Sequence, residues 1–360
     1  MKPTISFLLP GPSIKPVGGY KVVYEYANHF VADGFIVNIV FPASLCFSQQ
    51  SLFNKGKSIA RYLYFFVTKS YAPSIWFNLD ESVNLHWVKS LNEKHVPKAD
   101  VYIATAAQTA VYLNDYKRVN VDNKYYFVQG YESWTIGEDS FLETLRMPLK
   151  KITISTHLYE IIEKQDKHVD LVYNGFDFSY FKQRINFDKK NRFSVSMLFH
   201  LSPLKGCEDG IAALKIVKAK YQELNATFFG TCERPLNLPT WIDYYQNPDK
   251  VLHNKIYNES AIFIGPSHSE GFCLTPPEAM QCGCAVVCTD IGGYADVCIH
   301  EVTALISPVK NIEALADNII RLIENDLLRL RIAKEGFENI QQFTWNRAYE
   351  KFKKIIEYKR

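Results

Sequence analysis

Two carboxylates, Glu270 and Glu278, bracket the short loop Gly-Phe-Cys-Leu-Thr-Pro-Pro, which runs straight into a predicted helix. Thr275 suits an N-cap there, Pro276 the first helical position, and Gly283 a left-handed helix end. A helix start exposes unpaired N–H groups and the positive end of a dipole, so a phosphate can settle there without a cationic side chain. Ionised carboxylates only accept hydrogen bonds, which fits them to sugar hydroxyls. A phosphate flanked by two hydroxyl-bearing groups describes a nucleotide sugar.

Glu278 also has a purely structural reading. Thr275-Pro276-Pro277-Glu278 is a capping-box spacing, in which the glutamate turns back to the cap residue's own N–H. Glu270 lies five residues before Thr275, after a predicted buried strand from Ala261 to Pro266 and among Ser267, His268 and Ser269. Binding residues concentrate in loops held by such a scaffold.

The elements that must position these residues repeat a pattern. Ile5 to Leu9, Ile36 to Phe41, Val101 to Ala104, Tyr125 to Val128, Lys151 to Ser155 and Leu171 to Tyr173 read as strands, and Tyr20 to Ala32 has helical period. A second series follows: Ser194 to His200, a helix from Asp209 to Tyr221, then strands at Ala226 to Phe229, Ala261 to Gly265, Ala285 to Cys288 and Ala304 to Ile306. Strands alternating with helices imply parallel sheets covered on both faces, here two doubly wound α/β units. The break falls in the polar stretch after Asn174. The domain reading is 1–175, a linker 176–192, a second domain 193–344, and a last helix in 345–360 that either finishes the second domain or crosses back. Open parallel sheets bind ligands beyond the carboxyl ends of their strands, so a cleft between two facing sheets is the expected active site.

Composition narrows the class. The chain has 360 residues, 47% hydrophobic and 22% charged, with a formal charge of +3. That is an ordinary globular composition long enough for two domains, and it lacks the concentrated basic face of a nucleic-acid binder. No apolar run reaches a membrane span and the sequence opens on a strand-like segment, so a cytoplasmic location is expected. The eight cysteines are expected to be reduced core thiols. Cys282-Gly-Cys284 followed by Cys288 lacks zinc-knuckle spacing, so no metal is expected. The basic, aromatic segment 53–77 suits either a peripheral contact with the inner face of the membrane or with a lipid-linked acceptor, or a helix packing its aromatic face into its own domain. The second is the commoner use of that composition.

With these residues in view, the chain resembles a retaining glycosyltransferase of the GT-B fold, glycosyltransferase family 4. Pro10 to Tyr20, with Gly18-Gly19, resembles the family's first glycine loop, and Val172-Tyr-Asn-Gly-Phe-Asp its interdomain turn. Leu204-Lys205-Gly206 resembles its phosphate-binding lysine, Ser267 to Gly283 its paired-glutamate signature, and Thr289-Asp-Ile-Gly-Gly follows at the usual distance. Five elements in order are far more specific than any one of them.

The resemblance implies roles. Glu278 would accept from the donor's ribose hydroxyls and Glu270 from those of the transferred sugar. Backbone around Phe272, Cys273, Leu274 and Thr275 would meet the diphosphate, and Lys205 would neutralise the leaving nucleotide. Gly18 and Gly19 would let the first domain approach the donor. Two positions depart from the family: His200 stands where an arginine is common, and Gln129 where many members carry a histidine near the reaction centre. Histidine lacks arginine's bidentate fork, and glutamine cannot serve as a base at neutral pH. Glu132, in Gln129-Gly-Tyr-Glu132-Ser-Trp134, is a candidate to touch the acceptor, and this segment resembles some rhamnosyl and polysaccharide transferases. The implied activity is transfer of a hexosyl or deoxyhexosyl group from a nucleoside diphosphate sugar to a glycan or lipid-linked saccharide in cell-surface polysaccharide synthesis, with retention of configuration and without a metal or other cofactor. The alternatives are a GT-B epimerase or phosphorylase and a non-catalytic sugar-nucleotide-binding subunit.

Overall fold

The structure, a computed structural model, describes residues 2–13, 15–45, 64–65, 67–68, 71–176 and 178–356. Residues 53–63, 66, 69 and 70 of the 53–77 segment therefore lie outside the described residues. The chain divides into two units. One runs to Ile154 and includes Leu158–Asn174 and the chain from Asn346; the other comprises Ser155–His157 and Gly175–Trp345.

In the first unit the order is β1 (Thr4–Leu8), α1 (Gly18–Ala32), β2 (Ile36–Pro42), β3 (Asn84–Val88), β4 (Val101–Ala104), α2 (Ala107–Asn114) and β5 (Lys124–Val128), then α3 (Ser133–Ile136), α4 (Glu138–Arg146), β6 (Lys150–Thr153), α5 (Thr156–Glu163) and β7 (Val169–Leu171). The seven strands are all parallel, in the order β3-β2-β1-β4-β5-β6-β7. The sequence forms them because its apolar runs are continuous: β4 and β5 are buried at every position, as strands covered on both faces must be. The sheet reverses direction between β1 and β4, which is its topological switch point.

The second unit contains β8 (Ser194–Phe199), α6 (Cys207–Lys220), β9 (Asn225–Gly230), β10 (Ile242–Gln246), α7 (Lys250–Glu259), β11 (Ile262–Gly265), α8 (Thr275–Gln281), β12 (Ala285–Thr289), β13 (Ala304–Ser307), α9 (Ile312–Glu324) and α10 (Asp326–Ile340). Its six parallel strands lie in the order β10-β9-β8-β11-β12-β13. The core gathers Met197, Leu214, Phe228, Ile264, Val287 and Ile319, among others, between the sheet and its helices.

Two strands escape the sequence reading, β3 and β10, and both are sheet edges. Asn-Leu-His-Trp-Val and Ile-Asp-Tyr-Tyr-Gln carry polar residues because an edge strand is covered less completely. The stretch expected to be a plain polar linker also contains a buried anchor. Lys190 donates to the carbonyls of Tyr257, Ser260 and Cys282 at 3.0, 2.9 and 2.7 Å, and burial pushes its pKa down.

The last helix, α11 (Trp345–Ile355), packs on the first unit from Asn346 onward. Phe352 is fully buried, with Tyr26, Phe127 and Phe30 at ring distances of 4.3, 5.2 and 6.2 Å. Tyr349 and Lys353 bond Asp33 at 2.8 and 3.2 Å; with Lys2 they hold its carboxyl far below the usual range. Among the described residues the seven cysteines are all unpaired, and no helix is long and apolar enough to cross a membrane.

Candidate functional site

Glu270 follows β11 on the loop leading to α8, at the carboxyl end of the second unit's sheet. Its Oε2 is 3.0 Å from Lys205 Nζ. Its Oε1 accepts from Ser267 Oγ at 2.6 Å and from Tyr294 OH at 3.3 Å. Lys205 closes a single 3-10 turn, Pro203–Lys205, after β8, so the pair joins the ends of two neighbouring strands.

The two loops are held together by backbone. The amides of His268 and Ser269 both donate to Leu204 O, at 2.7 and 3.4 Å. Gly206, next to Lys205, has φ +58°, and a Cβ there would lie 2.0 Å from Pro266 O; both the left-handed conformation and the close approach require glycine. His268 Nε2 and Asp209 Oδ2, 2.6 Å apart, tie the same loop to the first turn of α6. From the other side, a Cβ on Gly293 would meet Glu270 O at 2.3 Å. Gly293, the second glycine of the pair after β12, therefore lets its backbone lie against the Glu270 loop. Tyr294, which follows it, is 2% exposed. Burial and the neighbouring Glu270 push its phenol pKa up, so it stays a hydrogen-bond donor.

The start of α8 corrects several expectations. The N-cap is Leu274, already in the right-handed region at φ −111°, ψ −41°, and no side chain caps it. Thr275 is consequently the first helical residue, and the capping box is absent. The carboxylate of Glu278 points inward instead, 9% exposed, with Tyr257 OH 3.4 Å from its Oε2. The amide of Cys273 is already spent on Gly293 O at 3.0 Å, and its thiol is fully buried, with a pKa pushed well up by that burial. Phe272 is buried too, stacked on Phe176 with ring centroids 5.8 Å apart. Pro276 and Pro277 have no N–H to give. What the helix start offers an anion therefore narrows to the amides of Leu274 and Thr275. This makes Lys205 the principal charge available to a phosphate here.

His200 ends up exposed at the carboxyl end of β8, and its Nδ1 accepts from the amide of Ser202 at 2.9 Å. Partial burial and then the charge of Lys205 push its pKa down. The imidazole is thus neutral near pH 7 and presents one N–H, from Nε2.

In the first unit the predicted residues assemble at the carboxyl ends of β1, β4 and β5. Gly18 and Gly19 open α1, and the side-chain amide of Gln129 lies 3.5 Å from where a Cβ on Gly19 would be. Gln129 Oε1 is buried without a hydrogen-bond partner. Glu132 Oε2 accepts from the amide of Ala107, the first residue of α2, at 2.7 Å. Burial pushes its carboxyl pKa up to about 7, against the opposing effect of that hydrogen bond. Sequence reading found the paired glutamates and the lysine but missed Tyr294 and the His268–Asp209 pair. The only signal for Tyr294 was its place after the glycine pair.

Residues 179–339 match the sequence profile of the family Glycosyl transferases group 1. An uncharacterized glycosyltransferase of Methanocaldococcus jannaschii is 30% identical over 115 residues, 30% of this chain and 33% of that protein. The capsular polysaccharide biosynthesis glycosyltransferase CapM of Staphylococcus aureus is 26% identical over 145 residues, 38% of each chain. The chain thus spans about a third of the length of the curated relatives it matches. Among solved structures, Anabaena HepE in complex with UDP-glucose superposes with a TM-score of 0.70 at 17% identity, covering 98% of both chains. TarM superposes with a TM-score of 0.72 at 11% identity, covering 99% of both. These neighbours show the fold, the two Rossmann-like α/β domains of the GT-B glycosyltransferases.

Proposed function

We propose that this chain, in which residues 179–339 match the group 1 glycosyl transferases, moves a sugar from a nucleoside diphosphate sugar to a glycan or lipid-linked saccharide with retention of configuration. The observation that carries the reading is the Lys205–Glu270 pair, 3.0 Å apart at the carboxyl end of a parallel sheet. A cation and a carboxylate placed together there can divide a sugar diphosphate between them. The diphosphate draws Lys205 away from Glu270, and the amides of Leu274 and Thr275 add two donors. Glu270 then has Oε2 free for hydroxyls of the transferred sugar, while Ser267 and Tyr294 keep its orientation through Oε1.

The names of the relatives support the same reading: CapM acts in capsular polysaccharide biosynthesis, and HepE has been crystallised with UDP-glucose. We place the reaction in cell-surface polysaccharide synthesis, on the cytoplasmic side where nucleotide sugars are made. Bond cleavage leaves negative charge on the nucleotide, and Lys205 is the group positioned to stabilise it. The acceptor hydroxyl attacks from the same face and its proton passes to the departing diphosphate, so no protein nucleophile and no metal are needed.

Glu278 is assigned to the ribose of the donor. Glu278→Ala should weaken binding of the preferred nucleoside diphosphate sugar about tenfold, the loss of a charged hydrogen-bond acceptor. Calorimetric titration checks this beside a thermal melt. Unchanged affinity with a lowered melting temperature would show that Glu278 serves only Tyr257 and the helix.

A further inference from the structure

His268 meets the turn that carries Lys205 at three places. Its amide donates at 2.7 Å to the carbonyl of Leu204, the residue before the lysine. Its ring edge, Cδ2, lies 3.0 Å from where a Cβ would be on Gly206, the residue after the lysine. Its Nε2 lies 2.6 Å from Asp209 Oδ2; a carboxylate only accepts, so the imidazole N–H donates there. Glu270, whose Oε2 is 3.0 Å from Lys205 Nζ, is two residues further along the loop of His268. One side chain therefore sets the loop of the carboxylate against the turn of the cation.

Asp209 is the third residue of α6, the position from which a side chain can turn back to the N-cap amide. That amide, of Gly206, already donates to Pro203 O at 3.1 Å, and the carboxylate goes to His268 instead. The two side chains are 19% and 21% exposed, and a pair so open to water adds little to stability. The loops are also joined by backbone without it, through Leu204 O and through Gly206 against Pro266. What the side-chain bond adds is the orientation of the turn, and with it the place of the Lys205 ammonium. A shift of about 1 Å in such a group costs on the order of a hundredfold in rate.

We propose that Asp209 and His268 are positioning residues, which hold Lys205 Nζ beside Glu270 Oε2 and thereby at the place of the donor's diphosphate. The diphosphate's part in this rests on the transferase reading above, whereas the Lys205–Glu270 spacing belongs to the free chain.

Crystal structures of the full chain without ligand test the spacing, with Asp209→Ala, Asp209→Asn and His268→Phe as variants. Asp209→Asn keeps an oxygen for the imidazole and should keep the 3.0 Å contact. Asp209→Ala removes the acceptor, and His268→Phe keeps the bulk of the ring without its donor; in both, Nζ should leave hydrogen-bond range of Glu270. Melting temperatures should stay within about 4 °C of the unmodified chain; should Asp209→Ala fail to fold, His268→Phe carries the test. Calorimetric titration with UDP, GDP and dTDP reads the consequence. The nucleotide that binds the unmodified chain most tightly should bind His268→Phe about tenfold more weakly and Asp209→Asn within about twofold. In a Lys205→Ala background, His268→Phe should change the affinity by less than about twofold, because the lysine it positions is gone. The proposal is overturned if the Lys205–Glu270 contact persists in both Asp209→Ala and His268→Phe, or if His268→Phe lowers affinity by the same factor with and without Lys205, as a merely structural role would. If none of the three nucleotides binds the unmodified chain, the donor reading fails and the crystal structures alone decide the positioning role.

Discussion

Glu270 uses three acceptor positions on its own chain, with Lys205, Ser267 and Tyr294 as partners. Such a carboxylate is preorganised, and only its bond to Lys205 has a partner that a diphosphate would compete for. The paired glutamates were legible because their spacing is local, whereas Tyr294 lies 24 residues from Glu270 in sequence and Asp209 lies 59 from His268. Spacing along a chain carries no record of such long-range bonds. His200 gives the residue-scale prediction. Its neutral imidazole offers one donor where a guanidinium would offer a charged fork. His200→Arg should therefore tighten binding of a nucleoside diphosphate by about tenfold, the worth of one added charge-assisted contact. The exposed amide of Ser202 can turn to water, so the fold should hold. Titration calorimetry at pH 7.5 reads the change, and an unaltered affinity would mean that His200 does not face the diphosphate.

Among the elements, the central strands could be read from continuous apolar runs, and the edges β3 and β10 could not, because partial cover admits polar residues. The start of α8 was misread for a different reason. Thr-Pro-Pro-Glu has a capping-box spacing, but Leu274 enters the helical region one residue early and takes the cap position. Helix α2 shows the converse, since its first amide is bound from outside by Glu132, 25 residues later. That contact yields a pH prediction. The folded pKa of Glu132 is raised from 4.5 to about 7, so the folded state holds the proton more tightly than the unfolded chain. Its contribution to stability is present in full below the unfolded pKa and is lost as pH rises through the folded one. Glu132→Gln keeps an oxygen for the Ala107 amide without titrating. Between pH 5 and pH 8 the unmodified chain should lose roughly 1–3 kcal/mol relative to the variant. Urea unfolding at both pH values checks it, and parallel behaviour of the two proteins would mean that Glu132 titrates normally.

For the whole molecule, two parallel sheets were legible from alternation. What composition could not convey is how each unit is tied together. Lys190 sits in a polar stretch yet anchors three carbonyls, and α11 belongs by packing to the unit at the opposite end of the chain. Such a lysine and such a helix look like surface features until their partners are known. The purified chain is incubated with UDP-, GDP- and dTDP-sugars and saccharide acceptors in the presence of EDTA, and the product is read by NMR. The account predicts transfer from at least one donor with the anomeric configuration retained, and turnover reduced about a hundredfold or more in Glu270→Ala, the scale of losing an electrostatic contact in the transition state. Binding of nucleotide sugars without transfer or hydrolysis would contradict it and identify a sugar-nucleotide-binding subunit instead.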